Sequence, residues 1–161
     1  ITDGALNIKP SLQTKKMILK NVINFTNRIK NFEPYISVLS ATEEVLPQME
    51  SSVDAKDLME WALKEIDPSL KIMGPLAFDN SISNHAAKMK GIDNQVAGNA
   101  NILLVPNIET GNSLVKMLVN FMDATAGGFV TGSNIPVVIT SRSDSLDSRL
   151  SSISNAVLSI Q

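Results

Sequence analysis

Four short apolar runs alternate along this chain with segments of helical period, and that alternation restricts the fold more than any other feature of the sequence. The runs begin at Tyr35 (YISVL), Leu70 (LKIMGPLAF), Ile102 (ILLV) and Ile135 (IPVVI). Continuous apolar runs of this length, bounded by turn residues, form strands buried on both faces. Helical patterns lie between and around them. One runs from Leu12 to about Lys30 behind a Ser11 cap, and another from an Asp54 cap to about Ile66, after a loop spanning Pro47 to Val53. A third carries Ile82, Ala86 and Met89, and a fourth Leu114, Met117, Leu118 and Phe121. The last places Leu146, Leu150, Ile153 and Val157 on one stripe. Ile1 to Ile8 is a weakly β-like opening. This order predicts βαβ units and therefore an α/β fold, a three-layer α/β/α arrangement around a mostly parallel sheet.

Right-handed crossovers would carry all four strand ends to one edge. The ends are Ser40–Glu43, Asp79–Ser81, Asn107–Asn112 and Thr140–Asp144, each of them polar, charged or glycine-containing. In open α/β sheets ligands bind at that edge, and N–H groups at a helix start favour anions. Arg142 offers a guanidinium fork suited to phosphate or carboxylate. Thr140, Ser141 and Ser143 offer hydroxyls, and Asp144 a base. Taken alone the joint has a plainer reading, with Ser143 or Ser145 as an N-cap and Arg142 as a solvated charge. Asp79 or Asn80 likewise either caps the next helix or points into the cleft. Trp61 falls beside Leu58, Ala62 and Leu63 and reads as core, His85 as structural, and the lysines of the first helix as a solvated face.

The 161 residues suffice for one domain with a real core. A net charge of −2 makes no electrostatic case for nucleic acid or an anionic membrane. With no cysteine, disulfides, thiolate metal sites and cysteine nucleophiles are excluded, which fits a reducing, cytoplasmic setting. A single histidine rules out a histidine-rich metal centre, and no metal is expected. No run approaches the ~18 apolar residues of a membrane span. The first residue is isoleucine, so the chain reads as a piece of a longer one.

GPLAFDNSIS (from Gly74), VAGNANILLVPNIETGN (from Val96) and IPVVITSRSDS (from Ile135) resemble the phosphate acetyltransferase and phosphate butyryltransferase family, most closely its butyryltransferase branch. The resemblance covers nearly the whole chain. It implies a fold similar to that of isopropylmalate and isocitrate dehydrogenases. It also implies reversible transfer of an acyl group between coenzyme A and inorganic phosphate. Members are longer, with two domains around a cleft, so residues 1–161 read as the carboxyl-terminal portion of such an enzyme. Phosphate-binding arginines of the other half are then absent, and the isolated half is expected to be inactive.

Carried over residue by residue, Ser141 and Arg142 match the family's Ser-Arg pair that binds phosphate or acyl phosphate. The acetyltransferase branch has its proposed base seven residues after that serine, where this chain has Ser148. The Ser-Arg-x-Asp-Ser arrangement points instead to Asp144, with Asp147 or a residue of the other half as alternatives. Asn107, Gly111 and Asn112 match a loop that lines the cleft, although relatives more commonly carry aspartate where this chain has Asn107. The resemblance implies coenzyme A as substrate, no tightly bound cofactor, and small-molecule partners. With the apolar helix from Ser113 to Met122 it also implies at least a homodimer. A non-catalytic phosphate- or coenzyme A-binding half, or an oxidoreductase on the same fold, are the rival readings.

Overall fold

A computed structural model describes residues 1–133, 135–142 and 144–160. Its centre is a parallel sheet of β1 (Ile36–Leu39), β2 (Ile72–Leu76) and β3 (Ile102–Leu104), in the order β2-β1-β3. Ile36 stands opposite Ile72 on one side and Ile102 on the other. The middle strand is buried along its whole length, which is why its apolar run is unbroken. Around it lie α1 (Leu12–Thr26), α2 (Glu50–Glu65), α3 (Phe78–Ile82), α4 (Asn84–Met89), α5 (Ile108–Phe121) and α6 (Leu146–Leu158).

Side-chain alternation along the strands divides the core into layers. Ile36, Val38, Ile72, Ile102 and Leu104 pack with Leu19 and Ile23 of α1 and Ala55, Leu58 and Ala62 of α2. From the opposite face, Leu39 and Leu103 join Val105, Phe78 and Leu114, while Leu76 meets Ala87 and Val96. Ser37 turns to that side too, and its buried Oγ lies 2.7 Å from Ser81 Oγ.

Several local expectations are corrected. α1 stops at Thr26, with Asn27 as its C-cap. α2 begins at Glu50 inside the supposed loop, so Asp54 is not its cap. It sits one turn in and pairs at 2.7 Å with Lys15, whose side chain is only 6% exposed. The lysines of α1 are therefore not all a solvated face. Trp61 packs against the core, and the ammonium groups of Lys16 and Lys20 lie 5.0 and 5.4 Å from its ring centre. After β2 come two short helices rather than one. Asp79 is in the first turn of α3, and Ser83 caps α4 by accepting from the Ala86 N–H.

The fourth run is not a strand of the sheet. Its one described pairing is a single antiparallel bridge in which the Val130 N–H donates to the Val137 carbonyl at 2.8 Å. Ile135, Val137 and Ile139 are exposed. The reason lies at the free side of β3, where Thr2 is already seated. The Thr2 N–H donates to Leu103 at 2.9 Å, and the Val105 N–H to Thr2 at 2.7 Å. The stripe on α6 is corrected as well: Leu146, Leu150, Ile153 and Val157 are 50 to 72% exposed, and the buried face is Ser148, Ser152 and Ala156. That small-residue face meets the chain at Gly127 and Gly128, where the Gly128 N–H donates to Ser152 Oγ at 3.0 Å.

Candidate active site

The carboxyl ends of β1 and β2 are joined by charge. Asn80 Nδ2 and Lys90 Nζ both donate to Glu43 Oε2 at 3.0 Å, and Lys90 lies 3.5 Å from Asp79 Oδ1. The hydrogen bond from Lys90, above all, holds the Glu43 carboxyl below its ordinary pKa, and the same bond raises that of Lys90. Asn80 is completely buried, and its Oδ1 has no hydrogen-bond partner among the described residues. Asp79 and Asn80 thus come together with the end of β1, as the strand pattern predicts. Glu43 and Lys90, 47 residues apart, were invisible as a pair.

At the end of β3 the predicted residues are engaged in packing. Asn107 caps α5, its Oδ1 accepting from the Thr110 N–H at 2.9 Å and from the Thr110 hydroxyl at 2.8 Å. Gly111 is buried against Gly4, and Asn112 Nδ2 is 3.5 Å from the Gly4 carbonyl. The amino-terminal segment lies over this helix start, with the Ile108 N–H donating to Ile8. Asp3 holds the segment's turn: its carboxylate accepts from the N–H groups of Ala5, Leu6 and Asn7 and from the Asn7 amide. Burial works to raise the Asp3 pKa, but these donors outweigh it and leave it lowered.

Thr140, Ser141 and Arg142 are exposed. Asp144 Oδ2 accepts from the Ser141 N–H at 2.6 Å, and the Asp144 N–H donates back to the Ser141 carbonyl at 3.2 Å. These two bonds tie Asp144 back to Ser141, and Arg142 is a turn residue between them. Ser145, accepting from the Ser148 N–H, then caps α6. Ser143 lies outside the described residues. Arg142 is exposed and takes part in none of the ion pairs among the described residues. Thr140, Arg142 and Asp144 share no hydrogen bond or ion pair with Glu43, Asp79, Asn80 or Asn107 among those residues. The structure presents an exposed turn carrying Arg142 at the start of a 13-residue helix, a bridged β1/β2 edge and a covered β3 edge. Among the described residues no three acidic or histidine side chains converge as metal ligands, and no helix is long and apolar enough to cross a membrane.

Residues 1–157 match the model of a family described as phosphate acetyl/butaryl transferase. The chain belongs to this family. It is 43% identical over 158 residues to a phosphate acetyltransferase of Rhizobium meliloti, with 98% of this chain and 50% of that protein covered. It is 41% identical over 157 residues to a probable phosphate butyryltransferase of Bacillus subtilis, covering 98% and 52%. A branched-chain phosphotransacylase from Enterococcus faecalis has the same fold, with a TM-score of 0.86 at 35% identity over 99% of this chain and 57% of that one. The chain spans about half the length of the curated relatives it matches.

Proposed function

We propose that this chain is the carboxyl-terminal half of a two-domain enzyme that moves an acyl group reversibly between coenzyme A and inorganic phosphate. The observation that carries the reading is the family match along residues 1–157, and it is supported by the exposure of Ser141 and Arg142 on the turn before α6. Arg142 and the first amides of α6 bind the phosphate oxygens, as a guanidinium and a helix start favour an anion. As the coenzyme A sulfur attacks an acyl phosphate, a C–S bond forms, the C–O bond breaks and phosphate departs with its charge on Arg142. The thiol proton passes to Asp144 Oδ1, the oxygen not tied to Ser141. The Ser141 hydroxyl donates to the carbonyl oxygen, while Thr140 and Ser143 hold phosphate. Asp79, Asn80, Asn107, Gly111 and Asn112 shape the cleft walls. Most of the acceleration comes from holding two substrates in line.

The reading takes coenzyme A as a substrate, with no tightly bound cofactor, and places the enzyme in the cytoplasm as at least a homodimer. The exposed Phe121 and Met122 at the end of α5 support the last point. The test is thiol release from butyryl-CoA by phosphate in the full-length protein. Arg142→Ala is expected to lower kcat/KM by about 10²–10³-fold, the scale for one preorganised donor. A rate within tenfold of wild type removes Arg142 from the mechanism, and the 161-residue chain alone is expected to show no turnover.

A further inference from the structure

A shallow cleft of about 280 Å³ lies between the second half of α1 and the end of α2, lined by Lys20, Ile23 and Asn24 on one side and by Glu65 and Ile66 on the other. Pockets for drug-sized ligands start at roughly 300 Å³, so an occupant here is smaller than those. Both helices end as the chain heads for the starts of β1 and β2. The cleft therefore stands towards the amino ends of the strands, away from Glu43, Asp79 and Asn80. Ile23 belongs to the core and Ile66 packs against it, which makes the floor apolar. Above that floor the two walls carry opposite charges. Lys64 holds Glu65 Oε1 at 3.3 Å. Lys20 takes part in none of the ion pairs among the described residues, and its ammonium group rests 5.4 Å from the Trp61 ring centre. Lys20 and Glu65 share the cleft without bridging it.

A cation and an anion set apart over an apolar floor select against most small molecules. A simple anion meets Glu65, a simple cation meets Lys20, and an uncharged apolar molecule strips water from both charges without replacing it. A dipolar ion with an apolar tail satisfies all three surfaces at once. Its carboxylate accepts from the ammonium group of Lys20, and its own ammonium group donates to Glu65. The Asn24 carboxamide, with donors and an acceptor, serves either end. We propose that this cleft binds a free α-amino acid with an aliphatic side chain, its charged ends on Lys20 and Glu65 and its side chain on Ile23 and Ile66. The contact with Trp61 holds the lysine in place before the ligand arrives. The site is independent of the acyltransferase reading, since no residue of that mechanism takes part in it.

The test is calorimetric titration of the full-length protein with L-leucine, which is expected to bind with a Kd of about 1 mM or tighter. Three related molecules each lack one of the matched features. Isocaproate has no amino group, isopentylamine has no carboxylate, and glycine has no side chain. Each is expected to bind about tenfold more weakly or not at all, the scale of one lost charge-assisted hydrogen bond or a few buried methyl groups. Lys20→Gln and Glu65→Gln remove the two charges in turn. Both side chains are exposed, so the variants are expected to keep the unfolding midpoint of wild type. Each is expected to weaken L-leucine about tenfold. That pattern upholds the proposal whether or not the protein turns over an acyl phosphate. Absence of L-leucine binding by wild type overturns it. So does binding that either variant leaves unchanged, which puts the amino acid elsewhere, or binding of any of the three related molecules as tight as that of L-leucine.

Discussion

A methyl group added at Gly111 would stand 2.7 Å from Gly4 Cα, 2.9 Å from Val105 Cγ2 and 3.0 Å from the Asp3 carbonyl oxygen. Alanine gains about 1 kcal/mol over glycine inside a helix, but here the overlap falls on backbone and outweighs it. Gly111→Ala is expected to destabilise the protein by about 1–3 kcal/mol, as overpacking does, read from urea denaturation. A neutral result would show that the amino-terminal segment yields. Lys15 and Asp54 pose the complementary case. Asp54→Ala strands an ammonium group with almost no access to water and is expected to lose about 3 kcal/mol. Glu50→Gln, which breaks the exposed pair with Lys9, leaves stability unchanged in the same assay.

At the scale of elements, α6 inverts the usual arrangement by burying serines and exposing leucine and isoleucine. Replacing Leu150 and Ile153 together by glutamate is expected to change the unfolding free energy of this chain by less than about 0.5 kcal/mol, as at other surface positions. Were the stripe core, truncation at either residue would cost about 2–5 kcal/mol, and thermal denaturation separates the two. The first three strands were legible because a strand inside a sheet advertises itself locally, as an apolar run with turn residues behind it. The run at Ile135 carries the same local signal but has no place to go, since Thr2 occupies the free side of β3. Periodicity likewise identified α6 but not which face it would bury, which depends on the glycines near Gly127. In the candidate site, the polar turn that holds Ser141, Arg142 and Asp144 was legible from the residues just ahead of the α6 pattern. The Glu43–Lys90 link could not, because nothing near either residue marks the other.

Across the whole molecule, the depressed carboxyl groups set the response to acid. Glu43 and Asp3 titrate below their ordinary values in the folded chain and near 4 when unfolded. Their contribution is therefore complete above the unfolded value and is lost as the pH falls through the folded one. Lys90, raised, contributes below its unfolded value near 10 and loses this only in strong alkali. The melting temperature is expected to hold level around neutrality and to decline below about pH 4, with Glu43→Gln and Asp3→Asn each flattening the acid limb. A decline that starts above pH 6, or one that neither substitution alters, would place the acid-sensitive groups elsewhere.

The bonds that tie Thr2 to Leu103 and Val105 also bear on the order in which the chain assembles. Closing a loop of roughly a hundred residues costs about 4 kcal/mol in entropy beyond a constant, and two backbone bonds alone return less than that. The opening residues therefore settle only once β3 and the start of α5 stand ready as a template. The segment around Thr2, made before β3, finds its place after it.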